Sequence, residues 1–219
     1  MRWYQRLFPY RVAPGLLDPG DLKALLDDLS NSPYMAGSDL SNRFEGTYGF
    51  SVVFQRSGLS RVLAALPAMR PYLEAVLDDR CNAFYINPLV IHQGAGVAAH
   101  ADRTLLTFTL PEMVPYPLKT SVLYVDVPAG LVGGELVLYF IVPFARVRPQ
   151  ANTLVEFLGS LRHSVRKVEH SPEGKPRMSL VCEQYTLKPA LLEKIPEFFL
   201  STDRKFAAFL EAELETPKL

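Results

Sequence analysis

The sequence predicts a mainly β fold, a β-sandwich or jelly roll flanked by helices at both ends. Three observations lead there. Between residues 81 and 188, short runs rich in β-branched and aromatic residues alternate with Gly, Pro or charged turns. Before and after that stretch the apolar spacing is helical. Finally, 18 prolines and 13 glycines in 219 residues supply the turns that short-stranded architectures need. The expected organisation is a single domain, 1–219: an N-terminal helical and lid region (1–80), a β core (81–188) and C-terminal helices (189–219).

The first helix opens at Asp18-Pro19-Gly20-Asp21, where Asp18 can cap and Pro19 takes the first helical position. Leu22, Leu25, Leu26 and Leu29 then form one apolar stripe, and Asn31-Ser32-Pro33 ends it. Residues 34–58 mix Tyr34, Arg43, Phe44, Tyr48 and Phe50 with Gly, Ser and Asn. They read as a loop or hairpin with exposed aromatics, and as a candidate substrate lid. Val62, Leu63, Leu66, Met69, Leu73, Val76 and Leu77 keep helical spacing, with breaks or kinks expected at Pro67 and Pro71.

Strands are expected over residues 84–86, 105–110, 121–127, 135–142, 153–158, 164–168 and 178–186. Helix returns with the apolar patch Leu191, Leu192 and Ile195. Thr202 can cap a last helix that buries Phe206, Phe209, Leu210 and Leu214. Cys81 and Cys182 both sit in apolar, strand-like text and read as buried free thiols, with a disulfide as the alternative.

Charge narrows the classes of partner. Lys plus Arg is 23 and Asp plus Glu is 23, so electrostatics gives no reason to expect nucleic acid or an anionic membrane. No window is apolar for the ~18 residues of a membrane span, and the N-terminal residues lack the pattern of a secretory signal. A cytoplasmic protein is the default expectation, with its oligomeric state open.

Chemistry concentrates at two of the four histidines. In His100-Ala101-Asp102 an imidazole and a carboxylate stand at i and i+2, on one face if the segment is a strand. His163 lies beside a later strand, which a jelly roll can bring alongside. Two histidines and one carboxylate on one face of a metal leave three positions open, the arrangement of non-haem iron(II) oxygenases. Zinc accepts the same donors. Arg177 opens a further strand and shares a face with Ser179. A guanidinium facing a barrel interior needs an anion, and a dicarboxylic co-substrate provides one.

In order along the chain, these elements resemble the iron(II)/2-oxoglutarate-dependent dioxygenase superfamily, in its prolyl-4-hydroxylase-like branch. The series begins with Gly94-Ala95-Gly96 before His100-Ala101-Asp102. Ser121-Val122-Leu123-Tyr124-Val125-Asp126 is similar to the branch's Tyr-Leu-Asn strand, and Gly133-Gly134-Glu135-Leu136 to its Gly-Gly-Glu-Leu turn. Thr153–Phe157 then leads to His163-Ser164-Val165, and Gly174-Lys175-Pro176-Arg177 closes it.

The resemblance implies a double-stranded β-helix core and iron ligated by His100, Asp102 and His163. It places Arg177 on the distal carboxylate of 2-oxoglutarate, with Tyr124 and Ser179 beside it. Dioxygen is then a co-substrate, and ascorbate a stimulating reductant. An Asp at position 102, rather than the small residue of related halogenases, favours hydroxylation. Two departures stand out. The Tyr that many relatives carry upstream of the first ligand is replaced here by Val90 and Ile91, with His92 or Asn87 as substitutes. Arg103 follows the Asp where many relatives have a small or amide residue, and it faces either an acidic substrate or the pocket rim.

The activity implied is hydroxylation of an unactivated C–H in a small molecule, amino acid or peptide, with succinate and CO2 as co-products. Desaturation, demethylation and epimerisation use the same cofactors. Arg103, Phe44 and Tyr48 are the candidate substrate residues. The alternative from another class is a non-catalytic jelly-roll ligand-binding module.

Overall fold

Alternation along β-strands decides this architecture, because one face of the main sheet must meet helices and the other must meet a second sheet. The computed structural model describes residues 9–35 and 47–201. The chain enters through β1 (Tyr10–Pro14) and α1 (Pro19–Ser30) and resumes with β2 (Thr47–Gly49) and β3 (Ser51–Gln55). Two short helices follow, α2 (Leu59–Ala65) and α3 (Arg70–Val76). The core then runs β4 (Ala83–Ile91), β5 (Val97–His100), α4 (Leu106–Thr109) and β6 (Lys119–Asp126). It continues with β7 (Val132–Gly133), β8 (Leu136–Tyr139), β9 (Pro143–Val147) and β10 (Thr153–Phe157). β11 (Arg162–Val165), β12 (Val168–His170), β13 (Arg177–Tyr185), α5 (Pro189–Leu192) and β14 (Phe198–Ser201) complete it.

The large sheet is ordered β1-β10-β6-β13-β4-β3-β14, with β2 also paired to β4. A four-stranded sheet, β5-β11-β8-β9, lies opposite it, and β12 pairs with β7. The pairs are antiparallel throughout. On one face of the large sheet, Phe54, Phe84, Ile86, Leu123, Leu180 and Cys182 pack with Leu25 and Leu29 of α1 and Met69, Tyr72 and Leu73 near α3. On the other face the residues in between, Tyr85, Asn87, Val122, Tyr124, Ser179, Val181 and Glu183, line a cavity against the smaller sheet. Strand β13 is covered on both sides, and eight of its nine residues are buried. The N-terminal helices thus bury the outer face, which frees the inner one for the site. Leu25 and Leu29 are fully buried, a contribution of about 1.5–3 kcal/mol each.

Most of the expected strands are present, but four local readings need correction. Residues 105–110, expected as a strand, contain the helical turn α4. Thr104 is tied to β13, and the Thr107 and Thr109 hydroxyls bond carbonyls of their own turn; the β-branched composition misled. The run 135–142 stops at Tyr139, because Phe140, Ile141 and Val142 form an exposed tip leading to β9, with Ile141 98% exposed. Within 34–58, residues 47–49 and 51–55 are neither loop nor a hairpin of their own but β2 and β3, each paired with β4 of the main sheet, and Phe50 is buried rather than exposed. Asp18 occupies the cap position of α1, yet its side chain makes no capping bond; Leu22 N–H donates to the Asp18 carbonyl instead.

Pro67 does separate α2 from α3, whereas Pro71 sits harmlessly in the first turn of α3. Both cysteines are free and buried. Ile195 is buried in the cluster that Leu191 and Leu192 flank, and β14 follows. The helix expected after Thr202 lies outside the described residues. Among those residues, no helix is long and apolar enough to cross a membrane.

Candidate metal centre and anion pocket

The two candidate histidine ligands are direct cross-strand partners. Register pairs His163 of β11 with His100, the last residue of β5, and their ring centroids lie 4.4 Å apart. Asp102 is not on the strand, as the i, i+2 reading assumed, but in the turn that follows. It still converges: its Oδ1 lies 3.3 Å from His100 Nε2 and 3.5 Å from His163 Nε2. One ligand atom from each residue falls within 4.8 Å of the others, the one such cluster among the described residues.

The surrounding bonds prepare these groups for a cation. His100 Nδ1 lies 2.8 Å from the Ala98 carbonyl, and His163 Nδ1 lies 3.2 Å from that of Leu161. When Nδ1–H donates there, each Nε2 presents a lone pair toward Asp102. Thr120 Oγ1 donates to Asp102 Oδ2 at 2.8 Å, leaving Oδ1 for the metal side. Donors on cis positions of an ion with bonds of about 2.1 Å sit about 3.0 Å apart, so the two Asp102–histidine separations need only a small contraction. Burial holds the His163 pKa down. Burial also opposes charge on His100, but the Asp102 hydrogen bond and charge outweigh it and raise its pKa. Burial pushes Asp102 up, and the two histidines reverse this and lower it.

Arg177 stands elsewhere on the same cavity, at the start of β13. It is 1% exposed. Its Nη1 reaches Ser179 Oγ only at 3.5 Å, and its buried Nε has no partner. The guanidinium carbon lies 5.4 Å from the Tyr124 ring centre, and the buried Tyr124 hydroxyl is also without a partner. Burial lowers the arginine's pKa and raises the tyrosine's. Two buried polar groups without partners, one of them charged, are costly, and a carboxylate would satisfy both. The Gly133-Gly134 turn makes room: both have positive φ, and a Cβ on Gly134 would sit 3.3 Å from Arg177 Nε.

Strand alternation places Ser179, Val181 and Glu183 on the cavity wall after Arg177. Glu183 was not singled out from sequence, although extending the Arg177/Ser179 alternation by two steps reaches it. It is 2% exposed. It accepts hydrogen bonds from Thr104 N–H at 3.1 Å and Thr104 Oγ1 at 2.5 Å, and one from the Tyr185 hydroxyl. Burial, with the Asp102 charge nearby, pushes its carboxyl up to about 8. The Glu183–Thr104 contact ties the turn carrying Asp102 to β13.

Other expectations sort as follows. Arg103 lines the cavity. Tyr48 does not; it is half-buried, edge-on to His92 at 5.1 Å. Of the two substitutes for the missing Tyr, Asn87 lines the cavity, with its Nδ2 donating to the Phe50 carbonyl at 2.8 Å. Arg43 and Phe44 lie outside the described residues. Phe50, expected in the lid, does line the wall, joined by Ser51 of β3 and Tyr85 of β4, which the sequence did not single out. The cavity measures about 390 Å³, within the range of small-ligand sites.

Fold and site together define a double-stranded β-helix with a two-histidine, one-carboxylate cluster at its open cavity. No family model and no curated protein matches the chain. Among solved structures, a Pseudomonas putida prolyl-4-hydroxylase is similar over 84% of this chain and 96% of its own, with TM-score 0.58 and 18% identity. A Trichoplax adhaerens prolyl hydroxylase, in complex with a hypoxia inducible factor peptide fragment, matches over 84% and 86%, with TM-score 0.59 and 15% identity. A Burkholderia pseudomallei oxidoreductase of the 2OG-Fe(II) oxygenase family matches over 84% and 89%, with TM-score 0.56 and 16% identity. At such identities the likeness is one of fold, and the fold is that of the prolyl-4-hydroxylase-like 2OG-Fe(II) oxygenases.

Proposed function

We propose that the protein is an iron(II)- and 2-oxoglutarate-dependent oxygenase that hydroxylates an unactivated C–H bond of a small molecule, amino acid or peptide. One observation carries the reading. A single cavity holds both a His-Asp-His cluster able to hold a metal and a buried Arg177–Tyr124 pair whose Nε and hydroxyl lack partners. A zinc site or a plain binding module accounts for one of these but not for both.

His100, Asp102 and His163 would hold iron(II), leaving three positions for exchangeable ligands. When bound, the metal with 2-oxoglutarate and dioxygen supplies the oxidation, with succinate and CO2 leaving. The chain's own residues fix geometry. Thr120 orients Asp102, the Ala98 and Leu161 carbonyls orient the two imidazoles, and Arg177 with Tyr124 would receive the distal carboxylate of 2-oxoglutarate. Leu89, Val97, Val122, Leu136 and Val165 give the same cavity an apolar lining. A peptide substrate has its precedent in the Trichoplax enzyme.

The test is direct. Purified protein with iron(II), oxygen and 2-oxoglutarate should release succinate, and anaerobic addition of 2-oxoglutarate should give a visible charge-transfer band. Neither signal should survive in His163→Ala. Absence of both in the wild type would sink the reading.

A further inference from the structure

A second arginine lines the cavity, and neither the triad nor the 2-oxoglutarate pocket uses it. Arg103 follows Asp102 directly and lines the wall. Its neighbour Thr104 is bonded to Glu183, six residues beyond Arg177 on β13, or about 20 Å along an extended strand. Arg103 therefore belongs to the end of the cavity away from Arg177. Its guanidinium carbon sits 3.9 Å over the Tyr116 ring centre. That stacking holds the plane in place without consuming its hydrogen-bond donors.

Those donors find no partner among the described residues. Arg103 Nε is buried without a partner, and the side chain makes no ion pair among the described residues. The nearby acid, Glu183, is already engaged by Thr104 and Tyr185. A half-buried, pre-oriented cation with an unsatisfied buried N–H beside the metal ligands is a receptor awaiting an anion. Arg177 already provides for the co-substrate.

We propose that Arg103 binds a carboxylate of the primary substrate, which makes that substrate a small organic acid or free amino acid rather than an uncharged molecule or an internal peptide segment. The cavity of about 390 Å³ suits two small molecules side by side. Tyr85, Ser51 and Asn87 supply polar groups on the same walls. The inference rests on the oxygenase reading above.

The experiment uses the full chain with iron(II), oxygen and 2-oxoglutarate. The probes are the free L-amino acids, their α-carboxamides, and end-capped peptides of the same residues. Succinate and oxygenated product are read by mass spectrometry. The expected result is that at least one free acid is oxygenated and its amide and capped peptide are not. Arg103→Gln should then lower kcat/KM for that acid about a hundredfold, through the KM of the acid and not that of 2-oxoglutarate. Arg103→Lys should recover about tenfold of this, since an ammonium keeps the charge but not the fork. Equal turnover of amides or capped peptides, an unchanged kcat/KM in Arg103→Gln, or oxygenation of no free acid by a protein that still releases succinate each overturns the proposal. If no iron-dependent succinate appears and no charge-transfer band forms, the oxygenase reading itself falls, and this inference with it.

Discussion

Replacing Arg177 with Met should stabilise the empty protein while disabling it. Arg177 is 1% exposed, with one long contact to Ser179 and an unpartnered Nε, so its burial is poorly compensated in the absence of a ligand. Exchanging such a buried ion for an apolar side chain of similar volume is worth about 1–4 kcal/mol in favour of the folded state. Taking about 2 kcal/mol, the melting temperature of the metal-free, ligand-free variant should rise by about 4–8 °C for a chain of this size.

Binding changes in the opposite sense. Two charge-assisted hydrogen bonds of about 1.5 kcal/mol or more each are lost, which weakens 2-oxoglutarate by about a hundredfold. At a concentration one hundred times the wild-type Kd, 2-oxoglutarate stabilises wild type by about 2.7 kcal/mol, but Arg177→Met by only about 0.4 kcal/mol. Thermal melts with and without 2-oxoglutarate, under anaerobic iron(II), read both effects in one experiment. A variant that melts lower when empty and keeps the full ligand-induced shift would refute the account of Arg177 as an uncompensated charge awaiting a carboxylate.

Asp102→Gly should lose turnover yet still bind 2-oxoglutarate, which keeps Arg177; an anaerobic titration followed by the charge-transfer band checks this, whereas His163→Ala should lose iron itself. Iron affinity should fall as pH drops through the His100 pKa, raised above 6.5, because a proton and the metal compete for Nε2; iron titrations between pH 6 and 8 measure the slope. Glu183→Ala strands the Thr104 and Tyr185 donors and should cost about 2–4 kcal/mol in denaturant melts, while Glu183→Gln keeps an acceptor and most of the stability. Because the folded Glu183 carboxyl titrates near 8 rather than 4.5, its contribution is whole below 4.5 and lost as pH rises through 8. Metal-free wild type should therefore lose stability relative to Glu183→Gln across that window.

The parts of the site legible in the sequence share one property: they follow from period-2 alternation on strands. Arg177 and Ser179 share a face because β13 is regular, and Tyr124 is Ser179's register partner on β6. Asp102 was legible for a partly wrong reason, since the turn after β5, not the strand, carries it to the histidines. What stayed hidden depends on tertiary contact. Residues 105–110 have strand composition, but the Glu183 bond to Thr104 anchors a turn there. Glycine and serine made 47–55 look like a loop or hairpin, although Gly49 is required where a Cβ would lie 2.0 Å from the Pro88 carbonyl. The apolar run at 140–142 looked like strand interior because nothing local distinguishes a buried strand from an exposed tip.

The pairing of His100 with His163 bears on how the barrel opens. β5 is four residues long and, among the described strands, lies at the edge of its sheet, hydrogen-bonded to β11 alone. An ion held by both imidazoles and by Asp102 in the next turn would staple that edge to the strand beside it. Removing the ion should then loosen residues 97–104 before any other part of the core, so amide hydrogen exchange and proteolytic nicking would begin there. Chelation would act as a local unfolding signal, and the same segment would be the route by which a lost metal is replaced.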